Sequence, residues 1–133
     1  MILDAEGSVA GRLCSYVAKQ LLKGEKVIVV NAEKAIITGN PKTTIQKFIE
    51  RRERVHPKYG PFFPRRPDLI LRRMIKGMIP YKKPTGKNKF KNLRVYIGIP
   101  ENLNGEIKKF SNKNITNSYM TILEISKKLG WSD

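Results

Sequence analysis

Apolar and polar positions along this chain switch between two periods, with short β-type runs followed by helical ones. Residues 1–4 predict a short strand, with a turn at Gly7. Ser8 is the expected N-cap of a first helix, because Val9, Leu13, Tyr16, Val17 and Leu21 then fall on one helical face. Gly24 ends that helix. Residues 26–31 contain the unbroken run Val27, Ile28, Val29, Val30, and a continuous β-branched strand suits a parallel sheet covered on both faces. Residues 35–38 predict a further short strand. Asn40 and Pro41 then open a second helix as N-cap and first helical residue, with Ile45, Phe48 and Ile49 turned inward.

The character changes at residues 55–67. Pro57, Gly60, Pro61, Pro64 and Pro67 exclude regular structure and predict an extended arm that orders on contact. Residues 68–78 return to helix on Ile70, Leu71, Met74 and Ile75, and residues 80–91 predict a second basic loop. Residues 93–97 read as a buried strand. Near the end, Thr121 and Glu124 have capping-box spacing, and Ile122, Ile125 and Leu129 continue a helix stopped by Gly130. Asn31, Gly39, Gly77 and Pro80 are assigned to the fold. Strands feeding helices in this order predict an α/β fold: a three-layer α/β/α domain around a small, mostly parallel sheet, with basic Pro-rich extended loops. At 133 residues the chain fits one domain, residues 1–133.

Charge then changes the picture. The chain carries 27 Lys and Arg against 11 Asp and Glu, a net +16. Residues 51–91 hold fourteen of the cations and only two acids, Glu53 and Asp68, so +12 of the total sits in under a third of the length. Such a concentration repels itself in the free protein and implies a polyanionic partner. Tyr59, Phe62, Phe63, Tyr81 and Phe90 lie among these cations. Rings and guanidinium planes stack on unpaired bases, while Lys and Arg neutralise phosphates. The segment is broken by prolines and lacks the form of a membrane-surface helix. Its longest apolar run is too short to span a bilayer, and the first residues carry no basic secretory leader.

Catalytic chemistry finds no foothold. His56 is the one histidine, stands before Pro57 and has arginines for neighbours, so it lacks the partner a general base requires. Cys14 lies among apolar residues of the first helix and reads as a small buried side chain; a single cysteine also forms no internal disulfide, which fits a reducing cytosol. Lys42 and Thr43 follow Gly39 as in a phosphate-binding loop, but Pro41 occupies a position where that loop needs glycine. Gly7 and Gly11 flank a strand-to-helix turn without a dinucleotide-binding pattern. Asp68 has no second acid before Glu101, which leaves a two-metal site without ligands. No Cys/His cluster offers a zinc site, and no cofactor or small-molecule substrate is expected.

Several blocks carry a resemblance. Asp4-Ala5-Glu6-Gly7, Gly11-Arg12-Leu13-Cys14-Ser15, Val29-Val30-Asn31-Ala32-Glu33-Lys34 and Thr38-Gly39-Asn40 resemble the universal L-thirteen family of large-subunit ribosomal proteins. So do Arg66-Pro67-Asp68-Leu69-Ile70 and Lys76-Gly77-Met78-Ile79-Pro80. The block Leu93 to Pro100, the ending Leu129-Gly130-Trp131 and the short link from Gly24 to Val27 are similar to the archaeal and eukaryotic branch. Cys14 stands where the family often has alanine, and Thr85 where an arginine is common, so Thr85 is not counted as an RNA contact. The resemblance covers nearly the whole chain. It implies an α/β/α domain embedded in large-subunit ribosomal RNA, incorporated early in assembly, in the cytoplasm and beside other ribosomal proteins.

The expected function is therefore a structural, non-enzymatic constituent of the large ribosomal subunit. The alternative is a translational regulator that binds RNA off the ribosome, which would be expected to carry a recognition helix or an aromatic-bearing sheet motif. The expected RNA-binding residues are Arg51, Arg52, Arg54, Lys58, Tyr59, Arg65, Arg66, Arg72, Arg73, Lys76, Lys82, Lys83, Lys87 and Lys89, with Arg12 and Lys42 added for their places near helix starts.

Overall fold

A computed structural model describes residues 1–53 (side chains through Arg51), 64–103, 105–110 and 118–132. Most of the arm expected at 55–67 lies outside this set. The elements run β1 (Ile2–Asp4), α1 (Ala10–Leu22), β2 (Val27–Val30), a single 3-10 turn (Ala32–Lys34), β3 (Ile36–Thr38), α2 (Pro41–Glu53), α3 (Pro67–Lys76), α4 (Pro84–Phe90), β4 (Leu93–Val95), β5 (Ile107–Lys109), β6 (Tyr119–Thr121) and α5 (Ile122–Lys128). Four strands form a parallel sheet in the order β4-β2-β1-β5, and β3 pairs with β6 in an antiparallel ribbon. With the five helices this is the three-layer α/β arrangement that the alternating pattern predicts.

Register decides which side chains enter the core. Leu3 lies beside Val29, and Val29 beside Val95; Val27 lies beside Leu93. These residues share one sheet face and join the main apolar cluster with Leu13, Cys14, Val17 and Leu21 of α1 and Ile70, Leu71 and Ile75 of α3. The apolar positions of α1 recur three and four residues apart, so a single stripe meets the sheet and α3. That helix stops where Gly24 adopts φ 89° and donates its N–H to the Leu21 carbonyl. A left-handed residue cannot continue the helix, and glycine adopts it without a Cβ clash.

Asn31 is the one non-glycine residue with positive φ among the described residues, at 56°. Its side-chain amide donates to Asp4 Oδ1 at 3.0 Å, and its N–H donates to the Gly98 carbonyl at 2.9 Å. Glu33, almost fully buried, accepts the Gly98 N–H at 2.8 Å. These bonds tie the C-terminal ends of β1 and β2 to the turn after β4, which supports the structural assignment of Asn31. Such a conformation persists only where several contacts over-determine it.

Three local expectations need correction. Ser8 does not cap α1: Val9 is the cap residue, and Ser8 is buried with its hydroxyl directed to the Phe110 carbonyl. Val9 forms a parallel bridge with Ile36, which keeps the backbone extended one residue further than the helical pattern suggests. The helix expected at 68–78 starts a residue earlier, on Pro67, and ends at Lys76. Residues 80–91 are not a continuous loop, because Pro84–Phe90 is helical with Pro84 in its first turn. That short helix has a mostly polar sequence, so no apolar period reveals it. Phe90 anchors it by burial, and Gly86 packs against the Pro80 carbonyl so closely that a Cβ there would collide with it. β5 and β6 also escaped the reading; Ile107–Lys109 is exposed throughout and is a strand through its pairing with β1. The N-caps at α2 and α5 are as expected: Asn40 Oδ1 accepts the Lys42 N–H at 2.9 Å, and Thr121 Oγ accepts the Glu124 N–H at 3.2 Å.

No helix of the described residues is long and apolar enough to cross a membrane. Two outcomes follow from the packing. Gly86→Ala is expected to destabilise the protein by about 1–3 kcal/mol in chemical denaturation, as overpacking against backbone does. Gly11→Ala, where an added Cβ meets nothing within 4 Å, should instead be neutral or stabilise by up to about 1 kcal/mol. Cys14 is fully buried, with Sγ 3.9 Å from the Leu71 carbonyl, and burial pushes its thiol from the ordinary 9.0 up to about 12. The folded pKa is the higher one, so this group's contribution to stability is complete below pH 9 and declines as pH rises toward 12. At pH 8 an aromatic disulfide reagent should react far faster with unfolded than with folded protein, measured by absorbance.

Candidate nucleic-acid interface

Helix α3 has two unlike faces. Ile70, Leu71 and Ile75 enter the core, while Arg72, Arg73 and Lys76 lie on the other side. The chain then turns at Gly77, whose N–H donates to the Arg73 carbonyl, and passes through Ile79, Pro80 and Tyr81 to Lys82 and Lys83. The Pro80 carbonyl accepts the Lys83 N–H at 3.1 Å, and α4 begins on Pro84. Between α3 and this turn lies an open groove of about 890 Å³. Its rim carries Arg72, Arg73, Lys76, Lys82 and Lys83; its apolar lining is Pro64, Leu69, Ile79, Pro80, Tyr81 and Phe90. Among the described residues, no carboxylate lines it. Five cations among the described lining residues create a positive local potential.

Aromatic rings brace three of the nearby cations. The Arg72 guanidinium lies over Phe90 at 4.8 Å, and the Lys76 ammonium over Tyr81 at 4.2 Å. Lys87 approaches Tyr81 from 5.9 Å. Tyr81 and Phe90 meet edge to face at 5.5 Å. Cation–π attraction of this kind holds long side chains in place without neutralising them. The sequence reading offers these aromatics as base-stacking surfaces. Phe90 is instead buried beneath Arg72, and Tyr81 is half-buried against the core.

Structure thus brings Arg72, Arg73, Lys76, Lys82 and Lys83 together and separates other members of the expected set. Arg66 is exposed at the start of α3 and pairs with Asp68 at 3.3 Å; as a surface pair it contributes little to stability. Asp68 occupies the first turn of α3, where a carboxylate suits the helix dipole. Arg65 is exposed, with its guanidinium close to Gly130 at the end of α5. Lys87 is exposed on α4. Lys89 is committed elsewhere: its ammonium donates to the Leu22 carbonyl at 2.6 Å, at the C-terminal end of α1. Arg51 lies over the Phe48 ring at 5.1 Å on α2. Arg12 is exposed on α1, away from the groove lining. Lys42 belongs to a separate shallow patch with Thr43, Gln46, Lys47 and Glu50, in which an acid is present. Arg54, Lys58 and Tyr59 lie outside the described residues, as does the side chain of Arg52.

The sequence reading missed the apolar half of the groove. Leu69 reads as one more apolar residue of a helix, yet it is 38 % exposed and lines the groove wall. Its position relative to Ile70 and Leu71 was the available signal. On α3 it falls outside the stripe that Ile70, Leu71 and Ile75 define, so it has no place in the core.

Comparison with known proteins identifies the family. A family model described as Ribosomal protein L13 matches residues 1–102. Among similar sequences, the Large ribosomal subunit protein uL13 of Methanocaldococcus jannaschii is 50 % identical over 133 residues, covering 97 % of this chain and 96 % of that protein. Its counterpart in Methanococcus maripaludis is 48 % identical, covering 98 % and 97 %. That of Methanopyrus kandleri is 45 % identical, covering 98 % and 86 %. With a family match over more than half its length and relatives of this identity along nearly all of it, the chain belongs to the ribosomal protein L13 family.

Proposed function

We infer that this chain is a structural constituent of the large ribosomal subunit, acting in the cytoplasm within the ribosome and serving translation through that assembly. It is not an enzyme: its family is one of structural ribosomal components. The finer reading is that residues 1–133 form one domain, which binds and stabilises large-subunit ribosomal RNA during early assembly. Residues 51–91 are its principal RNA-binding segment, and neighbouring ribosomal proteins adjoin it. The observation that carries this reading is the gathering of Arg72, Arg73, Lys76, Lys82 and Lys83 around the groove beside α3. Nothing in the fold or the relatives favours a separate regulatory role off the ribosome.

The mechanism is electrostatic and geometric. Phosphates of a folded RNA hold condensed counterions, and each Lys or Arg that replaces one releases an ion to bulk solution. Arg72 and Lys76 are already positioned by Phe90 and Tyr81, so less side-chain freedom is lost on contact. The core beneath α3 fixes where these charges lie. A flexible basic tail would neutralise phosphates equally well but could not match one RNA shape.

Reversing Arg65, Arg66, Arg72 and Arg73 together to Glu should abolish co-sedimentation with large subunits, while circular dichroism still shows a folded domain. Normal incorporation of that variant would place the binding surface elsewhere. For the isolated protein, Arg72→Gln should lower the slope of log affinity against log salt by about 0.7–0.9 on ribosomal RNA fragments, the amount expected for one lost phosphate contact.

A further inference from the structure

Positive charge gathers in a second place, at the N-terminal edge of the parallel sheet. Residues 19–26 and 87–94 are far apart in the chain, yet the fold joins them there. Lys89 Nζ donates to the Leu22 carbonyl at 2.6 Å, and the Val27 N–H donates to the Asn92 carbonyl at 3.1 Å. Together the two segments carry seven Lys and Arg against one acid, Glu25. Resting on the reading that the chain binds large-subunit RNA, we propose that this edge is a second RNA-binding face. Lys19, Lys23, Lys26 and Lys91, none of which lines the groove beside α3, hold the phosphate backbone of an RNA segment there.

All four lysines are exposed, and among the described residues none of them pairs with a carboxylate. Other cations of the edge already serve the protein. Lys89 satisfies the end of α1, and Arg94 folds back on the carbonyls of Lys91 and Leu93 at 3.2 and 3.0 Å. The helix dipole favours lysines at the end of α1, but its effect fades within one turn, and Lys26 and Lys91 lie beyond that helix. Lys19 and Lys23 stand one turn apart on a shared face.

Side-chain chemistry selects the occupant. A lysine ammonium is a compact, hydrated charge that neutralises phosphate without the planar fork that reads a base edge. None of the exposed side chains in the two segments is aromatic, so the edge suits a backbone and not a stacked base. Protein interfaces are depleted of lysine, which disfavours an acidic protein. Helix α4 joins this edge to the groove: Lys87 approaches Tyr81 at 5.9 Å, while Lys89, two residues on, holds the end of α1. The two faces are therefore fixed in relation to each other.

Lysine-selective reductive methylation, read by mass spectrometry, tests this on the free full chain, on the chain bound to protein-free large-subunit ribosomal RNA, and on intact large subunits. With RNA at about ten times the Kd, mass action should slow labelling of the four lysines about tenfold, and they should stay protected in the subunit. Replacing all four by Gln should lower the slope of log affinity against log salt by about 3, at roughly 0.7–0.9 for each lost contact, while circular dichroism is unchanged. Protection in the subunit but not on bare RNA would overturn the proposal in favour of a protein neighbour. An unchanged salt slope would overturn it too, as would equal slowing at every lysine of the chain. Protection of Lys82 and Lys83 without the four would remove this face and leave RNA binding in place. Absence of protection at all of these lysines would overturn the RNA-binding reading itself.

Discussion

The packing of α3 is the constraint on which the rest of the structure depends. Three buried side chains, Ile70, Leu71 and Ile75, hold this ten-residue helix to α1 and the sheet. Burying each contributes roughly 1.5–3 kcal/mol as an upper bound. On the opposite side Arg72, Arg73 and Lys76 repel one another, but exposed charges at a few ångströms interact by only about 1 kcal/mol or less in water and salt. Burial wins, so the helix stays docked and its cations stay where the core puts them.

That balance also explains why the basic segment is not uniform. Some of its charges serve the protein itself. Lys89 satisfies the carbonyl end of α1, and Arg66 faces Asp68 at the start of α3. Others are gathered around a groove with apolar lining residues. A solvated charged face would lack that apolar lining.

The second organising feature is the linkage at the strand ends. Asn31 and Glu33 both bond the backbone of Gly98, and the Asp4 carboxylate accepts the side-chain amide of Asn31. Polar groups buried in this way stabilise only when their partners are present. They make the short strands of this sheet, three or four residues each, act as one rigid platform.

The sequence by itself determined the elements that local chemistry specifies. Helices α1, α3 and α5 follow from apolar spacing, β2 from a β-branched run, the start of α2 from Asn40 and Pro41, and the basic segment from simple counting. Each rests on interactions between residues close in the chain. Only the tertiary structure decided the rest. Helix α4 exists because Gly86 and Phe90 pack on distant residues, β5 because β1 offers it hydrogen bonds, and Ser8 lost its capping role to a bridge between Val9 and Ile36. The same distinction divides the site. The number of cations was legible, but their fates were not, because whether a lysine caps a helix, covers a ring or lines a groove depends on which segment folds beside it.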